Sequence, residues 1–537
     1  MHNLPIQLAS FQYEHNEAWE ESDIKTNFFH KKIRMGTNNK QTPVIPLSTS
    51  LDANKSYLQA ELGASADVVY QELPLAGGQY KAIVVYIAGL VQISIINKQI
   101  IGTLLNFYES VSDPSNNQLI NNLSFQLLPV GHVWQIQDKK KLTEAILNGS
   151  TLIMVDGQSV AISVSTTGGE KRSISEPSVE DEIKAPRESF VEYIQINQSM
   201  IRRKLKNPHL RFFNMRVGKE TQTEISIAFV HGVVNPAILE EVKQRIDQMN
   251  IQGVLESYYL ESFIADAPNS IFPQIDHTER PDRVVAMLLE GRVAILVDGT
   301  PWVLIVPTVF VQFFTTAGDS YLSYIFATSM RFLRLMGFIF SLVVPSLYIS
   351  LTTMHHEMYP TPLALQIAGS RSGVPFPAIV EALLMELSFE LLREAGIRLP
   401  KAAGQAVSIV GALIIGTAAV EAGVVSPIMI IVVALTGISS FVIPSYEIGL
   451  ALRVLRFPLM IIASILGIPG ITVALLTLLT YMVSLTSFGV PYLSPFAPFQ
   501  WGDIKDSFIR APWKWLANQK HRYTRHRDKV DEFDANE

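Results

Sequence analysis

The spacing of apolar residues divides the chain into a mixed half and a largely apolar half. Over residues 65–305, apolar runs of strand length alternate with amphipathic segments, which is typical of an α/β fold. Between residues 332 and 485 the apolar segments become long enough to cross a hydrocarbon core of about 30 Å. The pattern predicts a soluble N-terminal α/β domain of two related subdomains, followed by an α-helical multi-span membrane domain.

The two subdomains are inferred from an internal repeat. Residues 145–157 align with residues 287–299 at an offset of 142, and both segments end in Asp-Gly. A second pair of apolar runs matches Gly89 with Gly232 at an offset of 143. Two separate matches at nearly one offset indicate a duplicated α/β unit.

Shifts in composition set the predicted boundaries. The first residues are polar and without clear periodicity, and a charged, proline-containing segment separates the repeats. The predicted organisation is a flexible arm at 1–64, a first subdomain at 65–165, a charged linker at 166–199, a second subdomain at 200–305, a membrane domain at 306–500, and a basic, then acidic tail at 501–537.

Neither repeat carries a recognisable catalytic constellation. Glycines follow the predicted strands, but without the spacing of a dinucleotide-binding or phosphate-binding loop. Asp156 and Asp298 could form a carboxylate pair, although aspartate before glycine is usually a turn residue. We therefore expect a protein that is not an enzyme and that needs no cofactor or metal ion.

The segment between the repeats is open to two interpretations. It is either a solvated linker or an ionic docking surface between subdomains or between subunits, continued by a basic helix. The candidate docking residues are Glu176, Arg187, Glu188, Arg202 and Arg203.

The distribution of charge supports the division into two halves. Of the 43 basic and 49 acidic residues, 61 lie in residues 1–300 and only 16 in residues 301–500. Charge is costly in hydrocarbon, so this drop favours a bilayer-resident block. The net charge of −6 argues against nucleic-acid binding, and the lack of cysteine excludes disulfides and thiolate metal sites.

Four to six crossings are predicted in the apolar half. The apolar segments are 332–353, 374–392, 404–423, 427–443 and 458–485, the last interrupted at 467–470. No signal peptide is recognised near the N-terminus, and a basic stretch follows the last span. Both features favour a cytoplasmic α/β domain and C-terminus, with the tail near anionic lipid headgroups.

Two polar features inside this half are candidate functional groups. The apolar segment 374–392 and the residues after it carry acids that either pair with Arg393 and Arg398 or contribute to an ion pathway. The candidate residues of this polar helix are Glu381, Glu386, Glu390, Arg393 and Glu394.

A stripe of small residues marks the following segment. Small residues one helical turn apart allow close helix packing, or line a narrow pore without blocking it. An acid at the end of such a helix would form a carboxylate ring in an oligomer. The candidate pore-lining residues are Gly404, Ser408, Gly411, Ala412, Gly416 and Glu421.

Several motifs together resemble the A subunit of GerA-family spore germination receptors. They lie at 354–360, 371–377, 392–400, 409–420 and 487–492 in the apolar half, and at 176–188 and 202–205 in the α/β half. The resemblance implies a protein of the spore inner membrane whose N-terminal domain faces the core. It also implies a permease-like B subunit and a lipoprotein C subunit as partners.

The same resemblance implies a homo-oligomer, expected to be a pentamer, that forms a nutrient-gated ion channel. Two alternatives stay open. One is a solute or ion transporter built on the broken helix at 467–470 and the acids of 381–394. The other is a sporulation-stage paralogue that amplifies germination without sensing a nutrient.

Overall fold

The fold was analysed in a computed structural model. It describes residues 45–75, 78–106, 118–127, 129, 131–168, 177, 180, 182, 184–400, 404, 411, 416–499, 504 and 506–512.

The first subdomain is a five-stranded antiparallel sheet with helices on both faces. Its elements are α1 (Leu51–Leu62), β1 (Val68–Leu75), β2 (Tyr80–Ile87), α2 (Ile93–Leu105, with a π-helical middle), α3 (Gln118–Leu127), β3 (Val133–Ile136), α4 (Lys139–Leu147), β4 (Ser150–Val155) and β5 (Ala161–Ser165). The strand order is β1-β2-β4-β5-β3. Val84 of β2 packs with α2 and α3, and Val85 packs with α1 and α4 on the other face. Burial on both faces explains why β2 has an unbroken apolar run rather than an alternating pattern.

The second subdomain repeats this architecture. Its elements are α5 (Ile194–Lys204), β6 (Leu210–Val217), β7 (Thr223–Val230), α6 (Pro236–Asp247), α7 (Ser257–Ile264), β8 (Asp276–Thr278), α8 (Pro281–Leu289), β9 (Val293–Val297) and β10 (Val303–Val306). The strand order is β6-β7-β9-β10-β8, the same as in the first sheet. The predicted duplication is therefore confirmed at the level of topology.

The duplication extends to single hydrogen bonds. The Asp156 carboxylate accepts a hydrogen bond from the Leu51 N–H at the start of α1, at 3.1 Å. The Asp298 carboxylate accepts one from the Ile194 N–H at the start of α5, also at 3.1 Å. Each Asp-Gly aspartate thus caps the first helix of its own repeat, where a negative charge is favourable. The two aspartates serve separate sheets rather than one carboxylate pair.

The first subdomain begins earlier than the predicted residue 65. Helix α1, inside the predicted arm, starts at an N-cap on Ser50 and buries Leu58 and Leu62 against the sheet. Its apolar positions have helical spacing, but polar residues between them hide the pattern. The second subdomain likewise begins with α5, six residues before the predicted boundary at 200.

A helical bundle follows the second subdomain. Its helices are α9 (Tyr324–Thr353), α10 (Thr361–Arg371), α11 (Ala378–Arg398), α12 (Pro427–Phe441) and α13 (Tyr446–Ser484). Residues 416–421 are also helical, and a short hairpin of β11 (Thr486–Ser487) and β12 (Val490–Pro491) closes the described fold. Among the described residues, two helices, α9 and α13, are long and apolar enough to cross a bilayer.

The helices of the bundle alternate in direction. α12 runs antiparallel to α9, because Gly337 of α9 lies against Ser439 near one end of α12. Further along α9, the Tyr348 hydroxyl is 3.5 Å from that of Ser426 at the other end. The start of α9 is therefore on the same side of the bundle as the end of α12.

Helix α13 is a hairpin of two helical arms. Gly467 interrupts it with φ +65° and ψ −148°, inside the predicted break, and lies against the His355 ring beyond the far end of α9. Near its start, Glu447 contacts His277 of the α/β domain, and near its end Tyr481 lies 6.4 Å from the Phe272 ring. Both ends of α13 are therefore at the α/β domain, and its turn is at the opposite end of the bundle.

We expect Gly467→Ala to destabilise this hairpin for two reasons. The added β-carbon would collide with the His355 ring, and the alanine would have to adopt the positive φ of Gly467. A left-handed conformation costs other residues about 1–2 kcal/mol, to which the collision adds. The thermal unfolding midpoint of the full chain in detergent should therefore fall.

Gly449→Ala is the matched control, since it lies in the same helix and its β-carbon would meet no heavy atom within 4 Å. Equal unfolding midpoints for the two variants would contradict the role assigned to Gly467.

Candidate functional site

One buried acid of the predicted polar helix, Glu386, takes part in a contact between three helices. Glu386 of α11 forms an ion pair with Arg456 of α13 at 2.5 Å, and both side chains are 1% exposed. Arg456 also donates to the Ser341 carbonyl and hydroxyl of α9, at 2.9 and 2.8 Å. A charge buried in this way is tolerated because it is paired and hydrogen-bonded.

The neighbouring acids of α11 are also paired with other segments. Glu390 lies 3.4 Å from Arg453 of α13. Glu381 pairs with Arg371 of α10 at 3.0 Å and accepts a hydrogen bond from the Ser426 N–H at the start of α12. The acids of α11 therefore join it to three other helices.

The two arginines considered as partners from the sequence have different roles. Arg398 does pair with an acid of its own helix, Glu394, at 2.6 Å on the exposed end of α11. Arg393 instead stacks on the Phe441 ring, with its guanidinium carbon 4.8 Å from the ring centroid. The buried acids are neutralised mainly by arginines from other helices, which the local sequence does not reveal.

The predicted pore-lining segment has two kinds of environment. Gly404 and Gly411 pack against α11, where β-carbons would collide with the Gly396 carbonyl and with the Leu392 side chain. A β-carbon at Gly416 would meet no heavy atom within 4 Å, and Glu421 is exposed. Ser408 and Ala412 lie outside the described residues.

Among the candidate docking residues, Arg202 joins the two subdomains. Its guanidinium makes a bidentate ion pair with Asp67, with Nε and Nη2 each 2.9 Å from a carboxylate oxygen, and Nη2 also donates to the Ser65 hydroxyl. Arg202 and Asp67 are 1% and 2% exposed. The contact links α5 of the second subdomain to the segment that precedes β1 of the first.

Two of the other docking candidates, Glu188 and Arg203, form contacts with other residues of the segment 188–204. Glu188 pairs with Lys204 at 2.7 Å, and Arg203 donates to the Ser199 hydroxyl within its own helix. Arg187 precedes this pair in a described segment, whereas Glu176 lies outside the described residues.

The segment that leads from β10 into α9 is fastened to the start of α9 by Asp319. This carboxylate is 1% exposed and receives Arg331 at 3.1 Å and Arg334 at 2.8 Å. Arg331 also donates to the Ser507 carbonyl at 2.6 Å, which holds the C-terminal segment at the same place. Arg331 and Arg334 are therefore structural ion-pair partners at the start of α9.

A second fastening involves the start of α13. Imidazole Nε2 of His277 in β8 is 2.8 Å from Glu261 of α7, and Nδ1 is 2.9 Å from Glu447 of α13. Burial would lower the pKa of His277, but the two carboxylates raise it to about 10. Sequence analysis did not single out this histidine, because its partners come from distant segments.

A third fastening lies at the end of α13. Asp266 accepts hydrogen bonds from Arg245 and from the Thr486 hydroxyl, both at 2.6 Å. Burial would raise the pKa of Asp266, but these hydrogen bonds hold it below its ordinary value. The Arg245 guanidinium also lies 4.5 Å from the Phe488 ring centroid. The second and third fastenings connect the α/β domain to the two ends of α13, and the first holds the segment that leads from this domain into α9.

Comparison with known proteins identifies the family of this chain. The family described as Bacillus/Clostridium GerA spore germination protein matches residues 56–522 of the chain. The chain belongs to the GerA family.

Individual GerA relatives match most of the chain. Spore germination protein KA of Bacillus subtilis (strain 168) is 44% identical over 492 residues, which cover 91% of this chain and 89% of that protein. The uncharacterised membrane protein YfkQ of the same organism is 40% identical, and the match covers 89% of this chain and 92% of YfkQ. The resemblance to A subunits of GerA-type receptors is therefore confirmed.

A solved structure also matches the GerA chain. It is the crystal structure of the N-terminal domain of the A subunit of the Bacillus megaterium spore germinant receptor GerK3. It has 32% sequence identity and a TM-score of 0.41, and the match covers 51% of this chain and all of that one.

We expect Arg202→Met to lower the free energy of unfolding by about 3–5 kcal/mol, because it leaves Asp67 buried without its partner. Chemical denaturation of the full chain in detergent, followed by tryptophan fluorescence, measures this change. The double variant Arg202→Met, Asp67→Leu should recover much of the loss, since both buried charges are removed.

Arg203→Met is the matched control, because Arg203 bonds locally within α5. If the Arg202 and Arg203 variants were equally stable, the ion pair would not be what joins the subdomains.

Proposed function

We propose that the chain is the A subunit of a nutrient-responsive spore germination receptor, and that it oligomerises into a ligand-gated ion channel in the spore inner membrane. Membership of the GerA family supports the role in germination. The channel, the oligomer and the membrane topology are argued below from the bundle.

A multi-span membrane domain accounts for the bundle's surface and interior together. Helices α9 and α13 have the required length and apolarity, and YfkQ is named a membrane protein. Large apolar side chains are exposed along the bundle, among them Ile431, Ile438, Ile461, Ile465 and Leu476. Glu381, Glu386 and Glu390 of α11 are bonded to arginines of other helices, so this part of the helix is also compatible with hydrocarbon.

The direction of the helices supports an even number of crossings. With α11, residues 404–423 and α12 as further spans and α13 as two, the bundle would cross six times. The N-terminal domain and the C-terminal tail would then share the cytoplasmic side, as the basic stretch after the last span favours.

The observation that carries the channel proposal is a contrast between two sets of acids. Glu381, Glu386 and Glu390 are bonded to arginines inside the protomer and are not available to a permeating ion. Glu421 is exposed, and Gly416, five residues before it, has open space beside it. A pore lined by this helical segment would lie between protomers, with a ring of Glu421 carboxylates to attract cations.

The family resemblance extends this proposal to partners. A permease-like B subunit would sense most of the nutrient signal, a lipoprotein C subunit would complete the receptor, and this chain would act as a non-enzymatic pore subunit. The three fastenings at Asp319, His277 and Asp266 give the α/β domain a direct mechanical connection to the spans.

We expect Gly416→Leu to narrow the pore, and Glu421→Gln to remove the charge that attracts cations. Each variant should slow nutrient-triggered release of monovalent cations from spores, and Glu421→Gln should also reduce cation over anion selectivity in planar bilayers. Cross-linking would show whether the oligomer still assembles.

The chain offers a matched control for each change. Gly369→Leu adds the same side chain to another helix position with open space, and Glu357→Gln neutralises another exposed acid. Normal cation release by assembled Gly416 and Glu421 variants would refute the pore assignment. Saturable, substrate-specific uptake by the reconstituted chain alone would favour a transporter instead.

A further inference from the structure

The contact of His277 with its two carboxylates is short but incompletely bonded. Nδ1 of His277 and Oε2 of Glu261 are buried, yet neither makes a hydrogen bond of ordinary geometry despite separations of 2.8–2.9 Å. Buried polar atoms in native structures normally have a partner, so such atoms call for an explanation such as a bound ion.

A tyrosine beside the same cluster also lacks a hydrogen bond. Tyr492 is completely buried, and its hydroxyl has no hydrogen-bond partner among the described residues. Burial raises the pKa of Tyr492 well above its ordinary value, and the carboxylates of Glu447 and Asp276 add to the rise. The charge of Glu447 therefore acts on a second buried group that makes no hydrogen bond.

The surrounding charges leave the cluster negative. Among the described residues, neither Glu261 nor Glu447 forms an ion pair with a lysine or arginine. The nearby arginines are already used, Arg245 by Glu241 and Asp266, and Arg283 by Glu180 and Asp276. Once the imidazole proton is displaced, the two carboxylates and the imidazole carry a charge of −2, which a divalent cation would balance.

We propose that Glu261, His277 and Glu447 bind one divalent metal cation, of the Zn²⁺ or Mn²⁺ type, at the junction between the α/β domain and the helical bundle. One ligand atom from each residue can be chosen so that all three lie within 4.8 Å of one another. Atoms bound to one ion at about 2.0–2.4 Å are separated by no more than this distance, so the backbone need not move.

The choice of metal follows from the ligands. Imidazole nitrogen favours zinc and other transition metals, whereas carboxylate oxygens also suit manganese. Water would supply the further oxygen ligands. The Glu447 side chain is 34% exposed, which leaves the site an approach from solvent. Glu447 also begins α13, so the cation would tie α7 and β8 to the first arm of the hairpin.

The test is metal binding by the full-length chain in detergent, after treatment with EDTA. Elemental analysis after addition of Zn²⁺ and desalting should find one equivalent per chain, and titration with Mn²⁺ followed by electron paramagnetic resonance should give the affinity. Binding should strengthen from pH 6.5 to pH 8.5, because the metal displaces a proton from the imidazole.

His277→Gln and Glu447→Gln should each weaken Mn²⁺ binding by more than about 100-fold, since even partners outside the ligand sphere contribute 10–100-fold. Asp266→Asn is the matched control, because this carboxylate is at the same junction but is already held by Arg245 and Thr486. It should bind metal like the unaltered chain.

Binding well below one equivalent by the unaltered chain would overturn the proposal, and so would unchanged affinity in the Glu447 variant. The measurement on the unaltered chain decides the matter even if a variant fails to fold. The site is independent of the proposed channel, because binding is measured without ion flux.

Discussion

Burying a charged group is costly unless an opposite charge is bonded to it, and the principal joins of this molecule are built on such pairs. Arg202 and Asp67 hold the two subdomains together, Asp319 holds α9 through two arginines, and Arg456 holds α11 to α13. Hydrophobic packing fills the sheets and the bundle, but it is non-directional. The buried pairs determine which subdomains and helices contact each other, since each charge is satisfied by one geometry.

The fold of the α/β half was largely predictable because a duplication leaves the same pattern twice. Two matching segments were enough to predict two related subdomains, and the structure extends the match to strand order and to the caps at Asp156 and Asp298. What was missed is α1, whose buried Leu58 and Leu62 are separated by polar residues. Its packing depends on a sheet formed later in the chain, so local composition alone does not identify it.

The sequence identified the acids in the interior of the bundle, but it did not identify the arginines that pair with them. Glu386 and Glu390 are four residues apart on α11, and Arg453 and Arg456 are three apart on α13. Each spacing places the two residues on one helix face. The two ion pairs could therefore have been predicted by matching the acids of one helix with the arginines of the other. His277 gave no such signal, because it contacts two acids from separate elements and has no periodic neighbour.

The Arg202–Asp67 contact joins the two related subdomains head to tail. Such a contact could in principle be repeated between further copies of the unit. Arg202 of α5 corresponds to Gln59 of α1, and Asp67, the residue before β1, corresponds to His209, the residue before β6. The outer end of each subdomain therefore lacks the charge that the contact requires. A head-to-tail interface with both halves intact could elongate without limit. Here the outer ends lack these two charges, so this ion pair cannot be repeated from one chain to the next.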